Sequence, residues 1–304
     1  MRASLLALLI SAAMWPGAAP AQSEWFPERR AFRGPAADPL EPRIAGGLVV
    51  SDLLEVRTEE PRERPPFSLG EPADDLESDL QATVAVGGTV PLWATPMGAD
   101  GSVVIAPQLA VFARFRLEPP SRDEAGSDWV VALPVEVRFN DLVAGRLRIV
   151  HRSAHLGDEL LQTGGALRLE FSHEAVDGLI GVTPLPGLRV YGGGALIFRS
   201  QTFRWTDAGG GTVAPTVDFD DRYSLQGGIE AEGGGAWGWR VAADWQAAQR
   251  SDWDSQIAAI AGVTTRVRGR GLLLHARLQS GISYLGEFFL TDERILGVEF
   301  EFQP

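Results

Sequence analysis

The sequence predicts an all-β protein, an antiparallel up-and-down transmembrane β-barrel of about twelve strands. Three observations carry that prediction. The N-terminus reads as an export signal, the mature chain alternates apolar and polar residues with period two in unusually long segments, and its connections alternate long and short.

In chain order, Arg2 supplies a positive start, Leu5 to Met14 an apolar run, and Ala19-Pro20-Ala21 a small-x-small site. This is a signal peptide over 1–21, cut before Gln22. The apolar run is too short to span a bilayer, and no later stretch holds about 18 uninterrupted apolar residues. Any later membrane crossing therefore has to use strands. The chain has no Cys, so neither a lipid-modified cysteine nor a disulfide contributes, and stability must come from packing and hydrogen-bond closure. Residues 22–42, broken by Pro and Gly and lacking an apolar period, predict an extended periplasmic N-terminal arm.

The barrel is assigned to 43–304, with strands at 43–57, 81–94, 102–117, 128–140, 142–155, 166–182, 187–200, 222–234, 236–249, 256–268, 270–282 and 293–302. Alternate side chains of a strand point to opposite faces. In 102–117, Val111, Ala113 and Phe115 oppose Arg114 and Arg116. In 128–140, Trp129, Val131, Leu133 and Val135 oppose Glu136 and Arg138. The same split puts Leu188, Val190, Leu196 and Phe198 against Arg189 and Tyr191, and Trp237, Trp239, Val241 and Trp245 against Arg240 and Asp244. Near the end, Leu272, Leu274 and Leu278 oppose His275 and Arg277, while Val298, Phe300 and Phe302 oppose Glu299 and Glu301. Within 166–182 the apolar phase changes from Leu169 and Phe171 to Val176 and Ile180, which predicts a β-bulge near His173–Ala175.

A soluble periplasmic β-sandwich or a lipocalin-like binding protein also alternates. Its strands average about five or six residues, however, whereas a tilted membrane strand needs about 9–11. Aromatic pairs at strand ends, Trp129 with Phe139 and Trp237 with Trp245, suit the two girdles of a membrane barrel. Long connections at 58–80, 118–127, 156–165, 201–221, 250–255 and 283–292 alternate with short ones, which puts the short turns in the periplasm. The expected location is the outer membrane of a Gram-negative bacterium, after cleavage near Ala21.

The formal charge is −13, and every basic residue is Arg. That balance excludes nucleic acid as a partner. Outer-membrane lipid, lipopolysaccharide and the barrel-assembly machinery are the partners that the location implies. No cofactor is called for, beyond a divalent cation at one cluster described next.

Two of the four histidines fall in HRSAHLGDE (151–159). Together with ADPLEPR (37–43), LRVYGGG (188–194) and YLGEFF (284–289), this segment resembles an uncharacterised bacterial envelope family of about 300 residues carrying an HxSxHLGDE signature. The resemblance implies the barrel architecture and no activity. On the residues alone, strand phase points His151 and Ser153 toward lipid at the outer rim. A His beside a Ser, with the ring oriented by a carboxylate such as Glu159, is general-base chemistry for acyl transfer. That arrangement is similar to the outer-membrane lipid A deacylases. His155 and Asp158 hold ligand types suited to a divalent ion, and capping of the strand end explains the same residues without chemistry.

The predicted inward face gathers Arg114, Arg116, Arg138, Arg146, Arg148, Arg168, Arg189, Arg199, Arg240, Arg266, Arg268 and Arg277. Against them stand Glu136, Glu170, Glu230, Glu232, Asp244, Glu299 and Glu301. An Arg excess lining an open bore favours anions. The same residues paired into ladders would fill a narrow one. The sequence thus leads to a structural or small-solute, anion-leaning barrel, with an outer-leaflet lipid (lipid A-type) ester hydrolase as the alternative.

Overall fold

The structure, a computed structural model, describes residues 22–52, 79–117, 124–157, 168–169, 171–200, 205–206, 221–289 and 291–303. The expected signal peptide, and Asp158, Glu159 and Glu170, lie outside the described residues. No helix among the described residues is long and apolar enough to cross a membrane.

Twelve antiparallel strands close into a ring. They are β1 (Ile44–Ser51), β2 (Asp79–Thr89), β3 (Gln108–Arg116), β4 (Glu124–Arg138), β5 (Val143–Leu156) and β6 (Phe171–Leu185). The ring continues with β7 (Leu188–Ser200), β8 (Tyr223–Gly234), β9 (Trp237–Ala248), β10 (Ser255–Val267), β11 (Arg270–Ile282) and β12 (Asp292–Gln303). Each strand pairs with its sequence neighbours, and β12 pairs with β1 from Ile295↔Ser51 to Phe302↔Ile44. Closure leaves no free edge, so the backbone polar groups of the ring are satisfied without water.

The third predicted strand, 102–117, runs in one register along β4 with a two-residue gap. Its first part, Gly101–Ile105, forms a hairpin with Trp93–Met97, with the turn inside the short connection expected at 95–101. It pairs with the lower end of β4, from Ser102↔Arg138 to Ile105↔Val135. The ladder is interrupted at Ala106-Pro107, where the Ala106 N–H still reaches the Pro134 carbonyl at 3.1 Å, and Gln108 resumes in the same register against Ala132. Pro107 has no N–H to offer a ladder, which makes it a natural point for this gap.

The bulge expected near His173–Ala175 lies at that level but on the other strand. Glu174 pairs with Arg199 and Ala175 with Ile197, so the extra residue is Phe198 of β7. Phe171, His173 and Ala175 all face inward, and β6 keeps one phase there. The extra residue turns Arg199, expected inward, to the exposed face, where its side chain is 74% accessible. The glycine triplet of β7 serves close strand approach. A Cβ on Gly193 would collide with the Gly178 carbonyl oxygen of β6.

The barrel is inside-out relative to a soluble fold. Large apolar side chains such as Leu133, Ile149, Ile180, Trp239, Leu274 and Val298 are exposed on its outer face. Arg114, Glu136, Arg146, Glu230, Asp244 and Glu299 are buried on its inner face. Such an apolar outer surface is suited to hydrocarbon and unsuited to water.

The N-terminal segment is the main departure. The arm expected to extend into the periplasm enters the bore instead. Glu24–Trp25 pairs with the edge of the hairpin at Ala94 and Trp93, and residues 30–43 run up the lumen from there. Phe32, 1% exposed, stacks under the guanidinium groups of Arg189 and Arg146 at 4.5 and 5.4 Å. At the opposite end, residues 283–289 fold back into the mouth, where Tyr284, Leu285, Phe288 and Phe289 are buried. A bore lined with charge is thus filled by a polar tail below and an aromatic loop above.

Candidate functional site

Two places gather chemistry: the bore, and the outward face of β5 and β6 near the long-loop end.

In the bore, wall and tail interlock by charge. Glu136 accepts from the Ala31 and Phe32 N–H groups at 3.1 Å and pairs with Arg30. Glu230 pairs with Arg33 at 2.7 Å and accepts from the Ala36 N–H at 2.6 Å. In the reverse sense, Glu41 of the tail lies 2.8 Å from Arg146, and Arg148 bonds Asp177 and Gln108 at 2.5 and 3.1 Å. Asp38 accepts from the Gln226 and Gln246 amides, which also bond Asp244, and Asp244 accepts the Tyr191 hydroxyl at 2.6 Å. Burial alone would raise the Glu41 pKa, but Arg146, Arg148 and Arg30 hold that carboxyl below its ordinary range. Burial likewise opposes charge on Arg33, and the Glu230 and Glu232 carboxylates outweigh it and raise that pKa.

The remaining wall residues divide into two sets. Arg114 pairs with Glu293 and bonds Gln81, Arg189 reaches Glu230 at 3.3 Å, Arg240 pairs with Glu232 at 2.8 Å, and Arg277 with Glu299 at 3.0 Å. Arg116 follows Arg114 two residues on, its Nε buried. Glu301 accepts from Gln303 at 2.9 Å near the lower end of the ring. Arg138, Arg266 and Arg268 lie beyond the buried stretch of the wall, at its open short-turn end. Arg138 is half exposed at the short-turn rim, 3.9 Å from Asp141, while Arg266 and Arg268 are exposed there, Arg268 in the positive-φ position of the turn before Gly269. Arg268 alone of the three lies in a turn, and Arg138 and Arg266 stand at the ends of β4 and β10. The Arg168 side chain lies outside the described atoms.

On the outer face, β5 carries Leu147, Ile149, His151, Ser153 and His155 in one outward row. The first two continue the apolar band. The next three form a polar patch at the level of Trp129, which pairs with Ser153 across the β4 register. From the other side, β6 brings Glu174 opposite His151 and Ser172 opposite Ser153. His151 Nδ1 lies 3.3 Å from Glu174 Oε1, and the Arg199 Nε lies 3.8 Å from the other Glu174 oxygen. With Nδ1 donating to the carboxylate, the ring keeps a lone pair on Nε2, on the same strand face as the Ser153 hydroxyl. In this conformation the Ser153 hydroxyl makes no hydrogen bond to His151 among the described residues.

The carboxylate partner of His151 was not legible in the sequence as a motif. Glu174 is 23 residues away, and it arrives through strand register across a long connection. His155 is outward and exposed at the rim, with Asp158 beyond the described residues. Among the described residues no group of three or more His, Cys, Asp or Glu converges as a metal site.

Residues 67–303 match a family model described as protein of unknown function (DUF1207). No curated protein matches the sequence. Solved structures with a similar chain path include the translocator domain of the autotransporter NalP from Neisseria meningitidis. It is 12% identical, with 86% of this chain and 87% of that chain covered, at a TM-score of 0.41. LpxR from Salmonella typhimurium is 9% identical, covering 86% of this chain and 100% of that one, at 0.36. The outer membrane channel DcaP of Acinetobacter baumannii is 10% identical, covering 85% and 95%, at 0.34. None of these likenesses bears on activity.

Proposed function

Since the chain belongs to DUF1207, a family of unknown function that supplies no activity to inherit, we propose from the site itself that the protein is a lipid-ester hydrolase of the outer membrane, built on a sealed barrel. The observation that carries this is the His151–Glu174 pair, standing outward beside Ser153 where the apolar band ends. A charge pair on that face is costly unless it meets the polar interface of the bilayer, and the ester bonds of lipids lie at that interface.

The chemistry needs only these three groups. Glu174 orients the imidazole and stabilises its protonated form. His151 Nε2 takes the Ser153 proton as Oγ attacks the acyl carbonyl. The departing lipid alkoxide recovers that proton from His151, leaving an acyl group on Ser153. Water, deprotonated by the same ring, then releases the fatty acid. The exposed Trp129 at this level would anchor the face among headgroups.

The filled bore speaks against the anion-leaning passage that Arg counting suggests. The guanidinium groups deepest in the lumen are committed to carboxylates of the wall and the tail. The deciding experiment is mass spectrometry of phospholipid and lipid A acyl chains from cells with and without the protein. Loss of an acyl chain that depends on Ser153 supports the hydrolase. Identical acyl patterns across growth conditions would remove it and leave a structural barrel.

A further inference from the structure

Arg250 stands in the short 3₁₀ turn Gln249–Ser251 that follows β9, away from the outward His151 face. Its guanidinium lies 5.0 Å from the ring centres of both Phe171 and Phe289, so two aromatic faces hold it at the mouth of the bore. No carboxylate neutralises it among the described residues. Asp128, the one acid acting on it, is taken by Arg152 at 2.5 Å and by the Gly286 N–H at 2.9 Å. Burial and the Arg152 charge push the Arg250 pKa down to about 9, the mark of a cation lacking its counter-charge.

Arg250 borders a cavity of about 180 Å³. Three donor-capable atoms on its lining residues make no hydrogen bond: Arg250 Nη1, His173 Nδ1 and Gln256 Nε2. His173 and Gln256 are more than nine-tenths buried, so water does not freely solvate them. Much of the remaining lining is apolar, including Val150, Ala175, Ile197 and Tyr284. Four acids border the cavity too. Asp38 is held by the Gln226 and Gln246 amides, and Asp177 is engaged by Arg148 through Oδ2, with its Oδ1 making no hydrogen bond among the described residues. Asp221 and Asp254 lie at the long-loop end. Buried polar groups are ordinarily satisfied, and three together around a cavity with an uncompensated cation call for a ligand that accepts hydrogen bonds and carries negative charge.

We propose that this cavity binds a small organic carboxylate, its oxygens on Arg250, His173 and Gln256 and its apolar body against Ile197 and Tyr284. The size suits a ring or a short chain, since an engineered apolar cavity of about 150 Å³ takes up benzene. This site is independent of the hydrolase reading, because it lies inside the wall and its test measures no lipid.

The test titrates benzoate into the refolded full-length protein in detergent, followed by calorimetry. One benzoate per chain is expected, with benzyl alcohol, the same ring without charge, binding roughly tenfold more weakly or worse. Arg250→Met keeps the length of the side chain and should cost a similar factor, with gel mobility before and after heating reporting that the barrel is intact. Gln256→Leu serves as a second variant and should weaken binding severalfold. Absence of benzoate binding, equal binding of benzyl alcohol, or affinity unchanged in Arg250→Met would overturn the site. Inorganic phosphate displacing benzoate as readily as acetate does would overturn the carboxylate assignment.

Discussion

Both carboxylate oxygens of Glu41 lie 2.8 Å from Nη1 of Arg146, joining the tail inside the bore to the wall around it. Removing one partner of a buried pair strands the other charge. Glu41→Gln should therefore cost about 3–5 kcal/mol, read as a lower urea midpoint in detergent. Glu41→Leu combined with Arg146→Met should recover much of that loss, because two apolar groups leave no charge unpaired. A double variant as unstable as the single one would mean that the pair does not hold the tail.

The same carboxyl sets a pH dependence. Its folded pKa lies below the ordinary glutamate value, so its contribution is complete above that value and is lost as pH falls through the folded one. The Glu41 contribution, read as the difference in stability between wild type and Glu41→Gln, should be level from pH 7 down to about 5 and should shrink below the ordinary glutamate range near pH 4. Glu41→Gln should show a shallower fall. Parallel melting curves for the two proteins at pH 3 to 7 would contradict this.

A filled bore predicts electrical silence. The full mature chain in a planar bilayer should give no steady conductance. Replacing Glu136 and Glu230 together by Ala removes the acceptors of Arg30 and of the Ala31, Phe32 and Ala36 N–H groups and one of the two carboxylates on Arg33, and should produce intermittent opening. Steady channels from the wild type would show that the tail does not close the lumen.

For the outward face, Ser153→Ala and His151→Ala should each lower lipid hydrolysis by a large factor, on the order of 10³ or more. The two together should cost little more than either alone, since both serve one step. Glu174→Gln should cost less than either, while Glu159→Gln separates the carboxylate that register brings to His151 from the one expected from the sequence. Equal acyl release by all four variants would return the patch to a structural role.

The apolar exterior can be tested at Val298, outward near the middle of β12. Val298→Arg should destabilise the protein in lipid vesicles by about 2–4 kcal/mol, the cost of an Arg near the bilayer midplane. A change below about 0.5 kcal/mol would be incompatible with hydrocarbon at that face.

Where the sequence was legible, it was legible through periodicity. Val131, Leu133 and Val135 against Glu136 reveal two faces, because strand geometry leaves no other way to separate them. The number of strands followed from the same signal. What stayed hidden depends on contacts between distant residues. The tail has no period of its own, and its fit is written on the wall in Glu136, Glu230 and Arg146, more than a hundred residues downstream. Glu174 hid because register across a long connection is not a local property.

The position of the tail also constrains the order of assembly. The seam of the ring joins β1, which directly follows the tail, to β12 at the far end of the chain. A segment that precedes the first strand yet bonds to residues on β4, β5, β8 and β9 is enclosed only once those walls stand around it. It can then act as a mandrel, offering matched charges on which half-built walls find their spacing before the seam shuts. Synthesis delivers this mandrel first, and closure traps it last.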